Sequence, residues 1–299
     1  MQSLNNKWYG EMRKRLTKKT KIIFCMLSAI IFALLIWTIW GNTALTVSNI
    51  KISSGRIPAA FSGFRIAQVS DLHNTEFGDG NAELLKLLSE SKPDIIVITG
   101  DLIDASHTDI GIALGFAQES VRIAPTYYAT GNHEAVCSQY SDLKIGLEAA
   151  GVIVLEDEAI SLERNGETIT LFGLDDPDFT VKGDMFGEVP AMVDTKLKNL
   201  DNGEGGYTIL LSHRPELFET YVNCGIDLAF AGHAHGGQFR LPFIGGVIAP
   251  NQGLFPKYDA GLYTDSGTNM VVSRGIGNSI IPLRFNNRPE IVLVELNVK

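Results

Sequence analysis

Hydrophobic and polar residues are spread unevenly along this chain of 299 residues. Residues 22–40 contain no charged side chain over 19 consecutive positions. As a helix, with a rise of about 1.5 Å per residue, such a run roughly crosses the ~30 Å hydrocarbon core of a bilayer. Trp37 and Trp40 close the run, where interfacial aromatic residues belong. The pattern therefore predicts a transmembrane helix, with a cleaved signal peptide and a buried core helix as the alternatives.

Beyond a connector at residues 41–60, strand-like and helix-like patterns alternate and then give way to strands. Apolar or alternating runs predict strands at 46–52, 64–70, 94–99, 126–130, 207–212, 228–231 and 290–298. Apolar residues at helical spacing predict helices at 81–91, 108–123, 141–150 and 216–223. Asn165-Gly166 predicts a hairpin turn between 160–164 and 168–174. This order favours a layered α/β sandwich of two mixed sheets with helices outside, and the strand at 46–52 could extend a sheet edge.

Charge divides the chain into two unlike parts. Residues 1–21 hold seven basic side chains and one acidic side chain, whereas the remainder holds 18 basic and 33 acidic ones. Positive charge before the apolar run predicts a basic cytoplasmic tail at 1–21, an anchor at 22–40 and a domain at 61–299 outside the cytoplasm. Because that domain is strongly acidic, we expect no nucleic-acid partner. The sequence leaves the oligomeric state unknown.

Composition excludes two further classes of protein. Hydrophobic residues make up 45% of the chain, which is too many for a disordered one. Three cysteines do not form a disulfide framework. Cys25 lies in the apolar run, and Cys137 and Cys224 either pair or remain as two buried thiols.

Five polar blocks follow the predicted strands or lie on the loops that leave them. They are Asp71-Leu72-His73, Gly100-Asp101, Gly131-Asn132-His133-Glu134, Ser212-His213 and Gly232-His233-Ala234-His235. Five of the six histidines fall in these blocks, and His107 reads as an ordinary loop residue. Because ligands of α/β sheets gather beyond the carboxyl ends of strands, we expect the blocks to converge on one site. Imidazole and carboxylate ligands suit Zn, Mn, Fe or Co, so the blocks predict a metal site.

Together the blocks, D-x-H, G-D-x-x-D, G-N-H-E, H and G-H-x-H, resemble the calcineurin-like metallophosphoesterases over roughly residues 64–240. Residues 236–246 and 273–291 are similar to a membrane-anchored or exported bacterial branch of that family. The resemblance implies a four-layer α/β/β/α sandwich, here preceded by one transmembrane helix. It also implies a metal-dependent phosphoric ester hydrolase.

Residue roles are implied by the same resemblance. Two divalent ions (Mn, Fe, Zn or Co) would activate water to attack phosphorus. The first ion would be held by Asp71, His73 and His235, and the second by Asn132, His213 and His233, with Asp101 bridging both. His133 would bind no metal and would donate a proton to the leaving oxygen. Glu134 would either orient His133 or serve as a helix cap or surface residue, and the role of Asp104 stays open.

The substrate is less well specified. Residues 239–255 are unusually apolar for a loop, so they form either a flap that presents Leu241, Phe243, Ile244, Ile248 and Leu254 to a lipid chain or a glycine-rich segment with ordinary core contacts. Four cations either meet a second phosphate or anionic headgroup or are solvated charges: Arg240, Lys257, Arg274 and Arg284.

Three functions fit these observations. The first is hydrolysis of a phospholipid or lipid-linked phosphodiester or monoester by an anchored enzyme. The second is a phosphatase of soluble extracytoplasmic substrates such as nucleotides or phosphoproteins. The third is a non-catalytic metal-binding scaffold, which the intact His133 beside all seven metal-ligand residues disfavours.

Overall fold

The computed structural model describes residues 2–181, 187–201, 203, 205–278 and 281–299. The α-helices in this part of the chain are α1 (Gln2–Thr43), α2 (Ala82–Glu90), α3 (Ile110–Ile123), α4 (Asn132–Val136), α5 (Tyr140–Ala150), α6 (Glu188–Leu200) and α7 (Phe218–Asn223). The first strands are β1 (Thr46–Ser54), β2 (Arg65–Val69), β3 (Ile95–Thr99), β4 (Thr126–Ala129), β5 (Ile153–Val154), β6 (Glu158–Arg164), β7 (Glu167–Gly173), β8 (Tyr207–Leu211) and β9 (Leu228–Ala231). The later strands are β10 (Arg240–Leu241), β11 (Gly245–Gly246), β12 (Ile248–Ala249), β13 (Gly253–Leu254), β14 (Gly261–Asp265), β15 (Thr268–Val272) and β16 (Glu290–Val298).

Two six-stranded sheets form the centre of the domain. The first has the order β1-β16-β2-β3-β4-β5 and the second the order β14-β15-β9-β8-β7-β6. Both are mixed, since β2 to β5 run parallel while β16 is antiparallel to β2, and β7, β8, β9 and β15 run parallel between antiparallel edges. The strand predicted near residues 46–52 does form an edge of the first sheet.

Successive side chains of each strand point to opposite faces of its sheet, so the buried apolar residues form three separate cores. Ile66, Val97 and Phe230 point into a core between the two sheets. The neighbours Ala67 and Ile96 point the other way, into a core that α2, α3 and α5 cover. A third core lies between the second sheet and helices α6 and α7. This α/β/β/α arrangement confirms the predicted sandwich.

Local sequence signals explain where several elements begin and end. Asp109 accepts a hydrogen bond from the Gly111 N–H (2.9 Å), so α3 starts two residues later than the periodicity predicts. Asn165 and Gly166 both have positive φ, as the predicted hairpin turn requires. Helix α6 lies in a stretch to which the sequence pattern assigned no element.

Helix α1 projects from the domain and exposes a long apolar stretch. It is the one helix of the described residues that is long and apolar enough to cross a membrane, and the apolar window within it is wholly unburied. That exposure contradicts the alternative of a buried core helix. Helix α1 also extends through most of the basic tail, to Gln2. Only Ala44 and Leu45 separate its end from β1, so the domain begins directly where the helix stops.

Candidate metal centre

All the polar blocks meet where strands of the two sheets end. β2 and β3 lead into Asp71 and Asp101, and α4 opens with Asn132 after β4. From the second sheet, β8 and β9 lead into His213 and His233. The structure thus brings together all seven predicted ligands, which come from both sheets, as well as His133.

The backbone of this centre is left-handed at most of the predicted ligands. The φ angles are positive at five of the seven: Asp71 (53°), His73 (46°), Asp101 (51°), His233 (64°) and His235 (47°). A non-glycine residue in this region costs about 1–3 kcal/mol, and such residues cluster at functional sites. The fold therefore carries local strain to turn these side chains inward.

Two motif glycines are required by close approach. A Cβ atom on Gly131 would lie 2.3 Å from Asp101 Oδ1, and one on Gly232 would lie 2.0 Å from Ser70 Oγ and 2.5 Å from Asp71 Oδ2. Any side chain at either position would displace a predicted ligand loop.

The first group of possible metal ligands comprises Asp71, His73, Asp101 and His235, all buried. His73 Nε2 lies 3.2 Å from His235 Nε2 and 3.5 Å from Asp101 Oδ2. His235 Nε2 lies 3.5 Å from Asp71 Oδ1. The ligating atoms of this group face one another around a common point.

The second group comprises Asp101, His213 and His233, also buried. His213 Nε2 lies 3.1 Å from Asn132 Oδ1, 3.2 Å from His233 Nδ1 and 3.2 Å from Asp101 Oδ2. His213 Nδ1 donates to the Thr99 carbonyl oxygen (2.8 Å), which directs Nε2 at the group. Asp101 belongs to both buried groups, so its carboxylate lies between them.

The donor set fits divalent metal ions. Burial lowers the pKa of His73 to about 4 and holds the pKa values of His233 and His235 well below the ordinary range, so these imidazoles are neutral, as metal ligands must be. Although burial opposes both changes, the Asp101 carboxylate raises the pKa of His213 to about 10, and His213 in turn holds the pKa of Asp101 well below its usual range. A metal ion would displace the His213 proton and take its place beside Asp101. Neutral imidazole nitrogens facing carboxylate oxygens without solvent suit Mn, Fe, Zn or Co.

His133 stands at the mouth of the centre. Its Nδ1 accepts a hydrogen bond from the Ala105 N–H (3.0 Å), so its neutral form carries the proton on Nε2. That nitrogen lies 4.0 Å from Asp101 Oδ2, and the side chain is 14% exposed. His133 can therefore offer an Nε2 proton to a group bound at the centre. The Asp104 carboxylate lies behind it, with Oδ2 4.0 Å from His133 Nδ1 and 3.8 Å from His73 Nδ1.

Glu134 is fully buried, and its hydrogen bonds go to the backbone of two ligand loops. Its Oε2 accepts from the N–H groups of Asp101 (2.8 Å) and Gly131 (2.7 Å), and its Oε1 accepts from those of Leu102 (2.9 Å) and Ile103 (3.2 Å). Neither predicted alternative describes this fully: Glu134 does cap α4, but it also fastens the Asp101 loop to the Asn132 loop.

Two buried arginines lie beside the centre: Arg284, which was named from the sequence as a candidate cation, and Arg214, which was not. Arg214 forms a bidentate pair with Asp176 (2.6 and 2.8 Å), and its Nη1 lies 3.3 Å from His233 Nε2. Arg284, only 1% exposed, has its Nη2 3.4 Å from His235 Nδ1. The position of Arg214 directly after His213 could have indicated that it lies near the centre. The contact of Arg284 with His235 has no such signal, because the two residues are far apart in the sequence.

The other cations named from sequence have carboxylate partners. Arg240 pairs with Asp259 (3.0 Å), Lys257 with Glu219 (3.1 Å) and Arg274 with Glu290 (2.5 Å). The three cysteines are free, so Cys137 and Cys224 do not pair.

A cavity of about 480 Å³ opens next to the second group. Arg214, Asp178, Glu216 and Asn251 supply its polar wall, with apolar surface from residues that include Pro177 and Leu217. Arg214 lines this cavity and also contacts His233, so its side chain connects the cavity wall to the second group.

Comparison with known proteins gives a consistent family. A family model described as calcineurin-like phosphoesterase matches residues 64–237. The chain is 30% identical over 264 residues to the uncharacterized metallophosphoesterase YkuE of Bacillus subtilis (strain 168), covering 82% of this chain and 83% of that protein.

Two further relatives extend the comparison. The phosphodiesterase YaeI of Escherichia coli (strain K12) is 29% identical over 246 residues, covering 78% of this chain and 82% of that protein. A transmembrane protein with metallophosphoesterase domain from Danio rerio is 27% identical over 260 residues, covering 84% of this chain and 57% of that protein. The apolar helix and relatives named as transmembrane proteins together indicate membrane association.

Proposed function

Because the chain belongs to the calcineurin-like phosphoesterases and is a metal-dependent phosphoric ester hydrolase, we propose that its two buried groups form one dinuclear site acting on a lipid phosphate ester. Asp71, His73 and His235 would hold one ion, and Asn132, His213 and His233 would hold the other. Asp101, which belongs to both groups, would serve both ions. The position of Asp101 in both groups is the observation that carries this assignment.

Bound there, two such ions would supply positive charge that stabilises the phosphate oxygens and a water of lowered pKa as the nucleophile. The protein's own part is to position and to transfer a proton. His133 directs Nε2 to the solvent side of the centre. In its imidazolium form, with Asp104 Oδ2 4.0 Å from Nδ1, it gives the Nε2 proton to the leaving oxygen as the P–O bond breaks and is left as a neutral imidazole. Glu134 holds the loops of Asp101 and His133 together during this transfer, through its hydrogen bonds to their backbone N–H groups.

The lipid substrate class is supported by the connection between the apolar helix and the centre. Asn42, at the end of α1, donates to the Arg284 carbonyl oxygen and accepts from the Arg284 N–H, both at 2.8 Å. The Arg284 guanidinium in turn lies beside His235. The centre is therefore held within a few residues of the membrane end of α1, where lipid phosphates are concentrated.

A soluble substrate is the second candidate, and the cavity beside Arg214 favours it. Asp178 and Glu216 line that cavity, and the pKa of Glu216 is raised by its burial. Such a polar wall suits a hydrogen-bonding alcohol better than an acyl chain.

Orientation is part of the proposal: we place residues 1–21 in the cytoplasm and the catalytic domain outside it. Seven basic residues before the span support this orientation. A topology reporter fused after Val47 is expected to be active outside the cytoplasm, and a cytoplasmic signal from it would reverse the assignment.

The substrate experiment compares three phosphate esters: a lipid diester, a soluble diester and a soluble monoester. The metal-loaded full chain in vesicles is assayed with a phospholipid, with its water-soluble headgroup phosphodiester and with a nucleotide monoester. We expect the lipid to have a kcat/KM higher by at least about tenfold. Hydrolysis of the nucleotide with none of the lipid would establish the second candidate.

A further inference from the structure

Two short hairpins form an apolar protrusion on the surface of the domain. They occupy residues 241–256, a run of 16 residues without a charged side chain, and are called here the uncharged hairpins. Phe243 is fully exposed, and Ile244, Leu254 and Phe255 are each about 60% exposed or more. β10 pairs with β11, and β12 with β13, so the hairpins satisfy part of their own backbone hydrogen bonding. Of the sequence alternatives, exposure contradicts ordinary core contacts for these side chains.

The uncharged hairpins are attached to the segment that receives the apolar helix. The Arg240 N–H donates to the Phe285 carbonyl oxygen (2.9 Å), and Arg284, next in the chain, makes the reciprocal pair with Asn42. Phe243 is three residues beyond Arg240, a reach of about 10 Å at most. The apolar tip and the end of α1 therefore lie on one side of the domain.

The level of the bilayer surface is marked by side chains at the end of α1. The Arg288 guanidinium lies over the Trp40 ring, 4.7 Å from its centroid, while its Nε donates to the Ala44 carbonyl oxygen (2.8 Å). Trp37 and Trp40 pack against each other at 5.4 Å between ring centroids. Tryptophan with a covering arginine is typical of the headgroup region. Since Asn42 lies two residues beyond Trp40, the attached hairpins are close to this level.

We propose that the uncharged hairpins are a second membrane contact, which inserts Phe243, Ile244, Leu254 and Phe255 into the leaflet from which α1 emerges. A lipid surface is the partner that we assign to the hairpins, because the apolar helix brings the bilayer to this side of the domain. Two contacts, a helix and a hairpin pair, fix the orientation of the domain, which one contact leaves free to rotate. This orientation would hold the mouth of the metal centre at a constant height above the bilayer. The proposal concerns docking, and it stands whichever substrate is hydrolysed.

Lipid quenching of a single label tests the contact. In the full chain with Cys25, Cys137 and Cys224 replaced by serine, Ile244→Cys is labelled with an environment-sensitive fluorophore. The protein is placed singly in phosphatidylcholine nanodiscs containing doxyl-labelled lipid. We expect strong quenching and a blue shift at this position. Leu254→Cys, on the other hairpin, provides a second reading if the first variant fails to fold.

Ile145→Cys is the matched control, because Ile145 is also an isoleucine of similar exposure (65% against 61%). It lies on α5, which packs at β5, the edge of the first sheet opposite β1. We expect quenching at 244 to exceed that at 145 by about threefold or more, because an inserted side chain lies roughly 5–10 Å within the headgroup and acyl boundary, whereas residue 145 stays in water. Equal quenching at 244, 254 and 145 would overturn the proposal. Shielding at 244 that appears only in concentrated detergent solution, without lipid quenching, would assign the hairpins to self-association and would also overturn it.

Discussion

The metal centre and the uncharged hairpins both depart from the usual placement of residues, in opposite directions. At the centre, carboxylates and imidazoles are buried, with Asp71 and Asp101 no more than 1% exposed. At the hairpins, Phe243 and Ile244 are left in solvent. Burying charge and exposing large apolar side chains each cost free energy unless a partner compensates. The comparison teaches that each region calls for a partner from outside the chain: cations at the centre and, as proposed above, lipid at the hairpins.

The largest effect is expected from substitution of Asp101 at the metal centre. Asp101→Ala removes the carboxylate shared by both buried groups and leaves His73 and His213 facing each other without it. We expect turnover of an aryl phosphodiester to fall by about 10³-fold or more, because bound metal supplies several kcal/mol of charge stabilisation. Turnover within tenfold of the original chain would contradict the bridging role.

His133 comes next, because the proposed mechanism gives it a role on the substrate and none in holding metal. His133→Gln keeps a polar side chain and is expected to lower kcat by about 10²–10⁴-fold while metal content stays the same. The effect should be smaller for an ester with a good leaving group, which needs no protonation. His107→Gln, at an exposed histidine, serves as the control, and equal losses in both variants would remove the acid role.

Much of the centre could be predicted from sequence because its ligands lie in short motifs after strands, where chain geometry confines them. Asp71, Asn132 and His233 were all assigned to the site in this way. Contacts between residues that are far apart in the sequence leave no such local signal. Examples are Arg284 beside His235 and Asp176 beside Arg214.

The fold was predictable to a similar extent. Strand alternation and the Asn165-Gly166 turn specified the layers and the hairpin. Helix α6 was missed, although Val189, Val193, Leu197 and Leu200 follow helical spacing. Gly187 and Pro190 at its start are residues that weaken a helical pattern. The four N–H donors of Glu134 depend on how two loops meet, which no single segment encodes.

Glu134 is expected to show an intermediate effect. Glu134→Gln turns an acceptor that receives two backbone N–H groups into a donor facing them, at a cost of about 1–3 kcal/mol. We expect a lower melting temperature and partial loss of metal. Glu148→Gln, on the exposed face of α5, should change neither. An unaltered melting temperature in Glu134→Gln would show that the two loops are held by other contacts.

The smallest effect is expected at the uncharged hairpins. Phe243→Ser removes a side chain with full solvent exposure, so the free energy of unfolding should change by no more than about 0.5 kcal/mol. Turnover of a soluble aryl ester in detergent should also stay within about twofold. A large loss in either would mean that Phe243 packs on the domain, and the contrast between the two regions would weaken.

The central claim, that the buried groups form one site for two ions, is tested most directly by counting metal against activity. The full chain is depleted with a chelator and then titrated with Mn or Zn, while bound ions per chain and aryl phosphodiester turnover are measured on the same samples. We expect turnover to rise with bound metal and to reach its plateau at two ions per chain. A plateau at one ion, or full activity in the depleted chain, would contradict the account.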